Sequence, residues 1–279
     1  MIVPKLSDDK LLSDIDAARH LQDSFHLWWL GQSGFLVQWR NQHLLFDPYL
    51  SDSLTDKYAK TDKPHARISE RVIDPSSLDF VDVVTSSHNH TDHLDGPTLK
   101  ALLDANPNLE IVVPAANRDF AADRLGTEAR RLTEIDVGSS VTSGHFTFHG
   151  VPAAHESVDR DAAGRYKYLG FVVEFGGATI YHSGDTVQYS GMEQGLSKWN
   201  IDLAILPING RAAERRVAGN LWGREAAQLA HDIGAQMVIP CHYDMFAFNT
   251  ATPDEFVDAA QRLGQNYTVL ELGERWTGT

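Results

Sequence analysis

The sequence predicts an α/β protein with mixed sheets. Short apolar runs rich in β-branched and aromatic residues recur along the whole chain, as in buried strands. Amphipathic segments that begin at capping residues and end at glycine lie between many of these runs. There is no internal repeat, low-complexity tract or long linker, so we expect one domain, 25–279, preceded by an N-terminal helical extension, 1–24.

The elements follow in order along the chain. The extension is expected to form a helix that begins at Ser7, a favoured N-cap residue, and continues to Leu21. A hairpin and a third strand come next, over residues 26–30, 35–39 and 44–46. Seven later β-rich runs are predicted at 80–86, 109–114, 169–175, 178–181, 201–207, 236–240 and 267–272. Four later helices are predicted at 97–103, 117–126, 224–233 and 253–263.

Composition restricts the classes of function. The chain carries 24 Lys and Arg against 38 Asp and Glu, a net charge of −14, so nucleic-acid binding is not expected. Its single cysteine excludes an intrachain disulfide. The first ten residues contain no apolar signal core, and no run approaches the roughly 18 apolar residues of a membrane span. We expect a soluble, cytoplasmic protein without membrane contact; homo-oligomerisation stays open.

The densest chemical signal is the segment Ser87–Leu94, which follows an apolar run and reads S-H-N-H-T-D-H-L. In extended chain, His88 and His90 point to the same side. Asp92 and His93 can then turn toward a second point. Imidazoles and a carboxylate at such short spacing suit first-row divalent metals. The segment therefore predicts a metal site at the end of a strand, in preference to a solvated polar loop.

Three later residues complete this site. His155, Asp185 and His242 each follow a β-rich run, which is where α/β sheets present functional side chains. Two adjacent metal sites are predicted from His88, His90, Asp92, His93, His155, Asp185 and His242. A bridging carboxylate and water would hold such ions ~3.5–4 Å apart.

This ordered set of motifs resembles the metallo-β-lactamase superfamily from Trp28 to His242. The resemblance implies a four-layer αββα sandwich with the metals at one edge between the sheets. It assigns His88, His90 and His155 to the first ion, Asp92, His93 and His242 to the second, and Asp185 to both. Asp47 matches the superfamily's first motif and would orient a ligand by hydrogen bonding.

Within the superfamily, residues 29–35 and 240–244 are most similar to the L-ascorbate-6-phosphate lactonase group. Asp244, two residues after the last ligand, is part of that similarity and is expected to accept a hydrogen bond near the site. The resemblance implies hydrolysis of a small, anionic lactone or ester by a hydroxide that bridges the metals. Asp92 and Asp185 would be the catalytic carboxylates, Asp92 as a possible proton acceptor during turnover.

Other functions stay open at this stage. A phosphodiesterase would use the same metals on a different bond, and a redox di-iron protein or a non-catalytic metalloprotein would keep the ions without hydrolysis. Two divalent ions are expected per chain, zinc or manganese, with iron also compatible.

Three residues near the predicted site are candidates for substrate binding. Arg211 lies in a loop with Asn209 and could grip an anion, although it could equally form a surface ion pair with Glu214 or Glu225. Tyr243 follows the last ligand and is expected to shape the pocket. His65 has no ligand-type partner nearby in the sequence and is given no role.

Overall fold

Two mixed β-sheets lie at the centre of the computed structural model, which describes residues 1–279. The first sheet contains β1 (Phe25–Gly31), β2 (Gly34–Trp39), β3 (Gln42–Phe46), β4 (Val83–Thr85), β5 (Glu110–Pro114), β6 (Leu132–Ile135) and β13 (Arg275–Gly278), in the order β13-β1-β2-β3-β4-β5-β6. The second contains β7 (Ser140–Ser143), β8 (Phe146–Pro152), β9 (Leu169–Phe175), β10 (Ala178–His182), β11 (Leu203–Pro207) and β12 (Met237–Cys241), in the order β12-β11-β10-β9-β8-β7. Each sheet is antiparallel at one side and parallel at the other.

Helices cover the outer faces of the sheets. The chain forms α1 (Asp8–Ala18), α2 (Ser53–Tyr58), α3 (Gly96–Ala105), α4 (Arg118–Leu125), α5 (Met192–Leu196), α6 (Gly223–Asp232) and α7 (Asp254–Leu263). Helices α3 and α4 pack together on the first sheet, and α6 and α7 pack together on the second. The predicted α/β class and its four-layer αββα arrangement are therefore confirmed.

Both sheets contribute to one continuous hydrophobic core. Because the strands are covered on both faces, they appear in the sequence as unbroken apolar runs, and every residue of β1 is buried. A second, smaller apolar cluster lies apart from this core; it comprises Tyr49, Leu54, Met245 and Phe246, with Tyr58 and Phe248 packed against it.

The predicted strand at 267–272 is wrong. That segment forms only an isolated bridge between Val238 and Tyr267, and the last strand is β13, antiparallel to β1. Leu270 and Leu272 are buried but pair with no strand. The apolar pattern there reflects side-chain packing in the core and not membership of a β-sheet. The sequence analysis also missed β6, β7 and β13, short strands in which most residues are partly buried or exposed.

The N-terminal extension packs against the rest of the chain. Leu11, Ile15 and Ala18 of α1 enter the main core, and the Trp28 indole nitrogen donates to Asp14 Oδ2 at 2.9 Å. The helix ends at Ala18, before the predicted Leu21, whose side chain is exposed. The boundary between 24 and 25 stays a prediction.

None of the seven helices has the length and apolarity that crossing a membrane requires.

We predict that α1 contributes to the stability of the whole domain. Leu11→Ala removes a fully buried side chain and should lower the free energy of unfolding by about 2–5 kcal/mol. Leu21→Ala, at an exposed position just beyond the helix, should change it by no more than about 0.5 kcal/mol. Urea unfolding of both variants at matched metal content checks this; equal, small effects would show that α1 is dispensable.

Candidate metal centre

All seven predicted ligand residues meet at one edge between the two sheets. The segment 86–94 follows β4, while His155, Asp185 and His242 follow β8, β10 and β12. The residues form two groups whose ligand atoms lie within 4.8 Å of one another: His88, His90 and His155 in one, and Asp92, His93, Asp185 and His242 in the other.

Asp185 lies between the two groups. Its Oδ2 is 3.5 Å from His155 Nε2 in the first group and 3.2 Å from His242 Nε2 in the second. Its Oδ1 is 3.2 Å from His93 Nε2. Gly184, just before it, has φ +58°, and a Cβ there would come within 2.7 Å of Leu169 O and Ser87 Cβ. Glycine is therefore needed to bring Asp185 this close to the Ser87 segment.

The chemistry of these groups fits bound cations. His88 Nε2, His93 Nε2 and Asp185 Oδ1 are buried and have no hydrogen-bond partner. Buried polar atoms are normally paired, because an unpaired one costs ~1–3 kcal/mol. A divalent ion in each group would give these atoms a partner, and imidazole with carboxylate is a donor set that zinc, manganese and iron accept.

The electrostatics of the first group favour neutral ligands. Burial lowers the pKa of His88 well below its usual range. Burial, together with the neighbouring His155, lowers the pKa of His90 to about 4. Both imidazoles are therefore uncharged near pH 7 and keep a lone pair for a cation.

The second group concentrates negative charge. Burial opposes ionisation of Asp185, but His242 and His93 hold its pKa well below the usual range. In turn, although burial opposes a charge on His242, Asp185 and Asp92 raise the pKa of this imidazole to about 9. The group therefore attracts positive charge to its ligand atoms.

Asp47 orients the ligand segment. It follows β3, is fully buried, and its Oδ2 lies 2.7 Å from His93 Nδ1. Its carboxylate also accepts from the backbone nitrogen of Ser87 at 3.0 Å and from the hydroxyl of Thr85 at 2.8 Å. Because a carboxylate can only accept, His93 Nδ1 carries the proton and Nε2 turns toward Asp185.

Gln32 contacts two of the predicted ligands, a role that the sequence analysis missed. Its Nε2 donates to Asp92 Oδ2 at 2.9 Å and lies 3.1 Å from His242 Nε2. Its backbone oxygen accepts from the backbone nitrogen of His242 at 2.9 Å. The residue has φ +52° in the tight turn between β1 and β2, a conformation that non-glycine residues rarely adopt and that recurs at functional sites.

The structure gives local contacts for three residues near the ligands that the sequence analysis singled out. Arg211 forms a bidentate ion pair with Glu225, at 2.7 and 2.8 Å, which is the alternative considered for it. Tyr243 is buried, and its hydroxyl donates to Leu270 O at 3.2 Å. Asp244 has φ +57°; its backbone nitrogen donates to Thr250 Oγ1, and its carboxylate makes no hydrogen bond to a ligand residue. The roles of Arg211 and Tyr243 in substrate binding, and of Asp244 as an acceptor near the site, stay predictions.

Asn209 holds two residues that do face the site. Its Nδ2 donates to Asn249 Oδ1 and its Oδ1 accepts from Asn220 Nδ2, each at 3.0 Å. Arg215 Nη1 also lies 3.4 Å from Asn249 Oδ1. Since an arginine can only donate, it fixes which end of the Asn249 amide is the oxygen, and the Nδ2 of Asn249 is left free.

A cavity of about 460 Å³ opens over the ligands. His90, Asp92, His155, Asp185 and His242 line it, whereas His88 and His93 lie behind them. The remaining lining residues come mainly from loops and short helices, and the sequence analysis assigned none of them: Lys57, Tyr58, His65, Arg124, Asn220, Phe248 and Asn249 are among them. No strand pattern precedes most of these residues, so no sequence signal marked them.

Known proteins share this fold. Residues 42–243 match the family described as Beta-lactamase superfamily domain. A UPF0173 metal-dependent hydrolase of Methanoregula boonei is 30% identical over 252 residues, which cover 89% of this chain and 95% of that protein. The metallo hydrolase Igni18 of Ignicoccus hospitalis superposes with a TM-score of 0.67 at 21% identity, covering 92% of this chain and 99% of Igni18. CmlA, a diiron β-hydroxylase of Streptomyces venezuelae, superposes at 0.65 with 16% identity, covering 91% of this chain and 53% of CmlA.

The fold and the paired ligand groups define a member of the metallo-β-lactamase superfamily, as the sequence predicted. More closely, the chain belongs to the UPF0173 family of metal-dependent hydrolases. The similarity to the L-ascorbate-6-phosphate lactonase group stays a prediction.

We predict that Gln32 supports metal binding in the second group. Gln32→Leu removes the hydrogen bond to Asp92 Oδ2 and should weaken binding of one of the two ions about 10- to 100-fold. Gln38→Leu, at another buried glutamine of the same hairpin, is the control, since Gln38 donates only to Arg40 O. Calorimetric titration of the apo-proteins with zinc measures this. Equal affinities in Gln32→Leu and wild type would mean that the contact has no part in metal binding.

Proposed function

We propose that this protein is a dinuclear metal-dependent hydrolase of a small, anionic lactone or ester. The observation that carries the proposal is the position of Asp185, whose two oxygens lie 3.2–3.5 Å from ligand nitrogens of both groups. A carboxylate shared in this way is what a two-ion hydrolytic centre requires.

The ligand side chains lie at two depths below the surface. His88 and His93 are enclosed by protein, while Asp92 and Asp185 face the cavity. Two divalent cations, when bound, would polarise a substrate carbonyl and lower the pKa of water. Asp92, 17% exposed in its side chain, is the carboxylate placed to accept a proton at the cavity floor. Hydrolysis of a lactone then breaks its acyl C–O bond and adds water, giving one hydroxy acid.

The cavity supports an anionic substrate through residues other than Arg211. Lys57 and Arg124 both line it. Arg124 Nη1 donates to the carbonyl oxygens of Asn89 and Leu94, at 2.9 and 3.0 Å, so the guanidinium is held in place. A positioned guanidinium and an ammonium group at one opening favour a carboxylate or phosphate group on the substrate.

The donor set supports zinc or manganese and is also compatible with iron. The likeness to a diiron β-hydroxylase concerns the fold and adds no argument for redox turnover.

We predict about two metal ions per chain by elemental analysis, and turnover of lactones that Asp185→Ala reduces at least ~10³-fold, because the substitution removes a ligand from both groups. Asp258→Ala, an exposed carboxylate on α7, is the matched control and should retain wild-type rates.

Product analysis separates the alternatives. Two ions with turnover of bis-p-nitrophenyl phosphate alone would make the protein a phosphodiesterase. Failure to hold any ion after reconstitution with zinc, manganese or iron would rule out the proposal.

A further inference from the structure

One wall of the cavity over the metal ligands is apolar and largely aromatic. Leu54, Tyr58, Phe246 and Phe248 line it together with His65. Except for His65, these residues belong to the small apolar cluster that lies apart from the main core. We call these five residues the aromatic wall.

The rings of the aromatic wall pack against one another. The His65 ring stacks on Tyr58 with centroids 4.1 Å apart and an interplanar angle of 18°. Phe248 and Phe246 meet the same ring edge-on, at 4.5 and 5.5 Å. Stacked and edge-on aromatic pairs stabilise a structure beyond simple burial.

His65 serves this wall as a neutral ring. Its Nδ1 lies 3.1 Å from the carbonyl oxygen of Lys63, which can only accept, so Nδ1 carries the proton. Burial lowers the pKa of His65 below its usual value, so the ring is uncharged near pH 7. His65 therefore adds no charge to the wall, and the charges beside it are the ammonium groups of Lys57 and Lys63, 5.1 and 4.9 Å from the ring centres of Tyr58 and Phe248.

The wall faces the same space as the reactive carboxylates. Asp92 and Asp185 line this cavity, and Val217 and Ala218 add further apolar surface to it. Asn249 follows Phe248 in the chain, and its free Nδ2 can donate to a substrate oxygen beside the wall. An apolar surface next to a few oriented polar groups is the usual composition of a small-molecule site.

We propose that the substrate carries a flat, apolar substituent, such as a phenyl ring, which packs on the aromatic wall while its ester or lactone group faces Asp185. This inference rests on the proposed hydrolase function and narrows its substrate class. In this arrangement the wall selects the apolar substituent of the substrate, and Lys57 and Arg124 bind its negatively charged group.

A matched pair of lactones tests the proposal. Wild-type protein should hydrolyse γ-phenyl-γ-butyrolactone with a kcat/KM about 10- to 100-fold higher than γ-butyrolactone, because only the former buries a ring. Phe248→Ala should bring this ratio close to one, while Phe248→Leu, which stays apolar, should keep part of it. Phe80→Ala, a partly buried phenylalanine that packs on His43 and does not line the cavity, should leave the ratio unchanged.

A binding measurement distinguishes failure of this inference from failure of the proposed function. The two product acids, 4-hydroxy-4-phenylbutanoate and 4-hydroxybutanoate, are titrated calorimetrically into the zinc-loaded protein. At least about 10-fold tighter binding of the phenyl acid, lost in Phe248→Ala, supports the wall even if neither lactone turns over. Equal affinities, or no binding of either acid, overturn it even if both lactones are hydrolysed.

Discussion

A single buried anion, the carboxylate of Asp47, organises the metal centre. Removing a carboxylate from water is costly unless hydrogen bonds compensate it, and here the backbone of Ser87, the hydroxyl of Thr85 and the imidazole of His93 do so. These partners tie the end of β3 to the end of β4 and to the ligand segment. The proton on His93 Nδ1 is thereby fixed, and with it the direction of the nitrogen that faces Asp185. The orientation of His93 within the second group therefore depends on this one desolvated charge.

The ligands could be predicted from the sequence because each follows an apolar run. Strands of one fold end at common edges, so polar residues just beyond β4, β8, β10 and β12 converge without any further information. The same logic predicted most strands, since double-sided burial leaves unbroken apolar runs such as β1. It failed at 267–272, where a single bridge joins Tyr267 to Val238 of β12 and the pairing goes no further, although Leu270 and Leu272 are buried.

The rest of the site depends on side-chain partners that no local pattern specifies. Arg211 lies 14 positions from Glu225, and only the turn into α6 brings the two side chains together. His65 is held by aromatic rings from two other segments, Tyr58 of α2 and Phe248 of the loop after β12. Gln32 reaches Asp92 across 60 residues of sequence. Such contacts arise from loops that meet in space, whereas the ligands lie at strand ends that the sheet topology aligns.

Arg215 has a consequence that reaches beyond its own hydrogen bonds. The chain of amides from Asn249 through Asn209 to Asn220 can run in either of two directions, and the guanidinium selects one of them. The positive charge of Arg215, a residue that does not line the cavity, therefore decides whether Asn249 presents its amino group or its carbonyl oxygen to the cavity. Without the arginine this selection is lost, and Asn249 can present either a donor or an acceptor at the cavity wall. Selectivity in this family can thus evolve by a change of charge outside the pocket, with all the residues that line the pocket left intact.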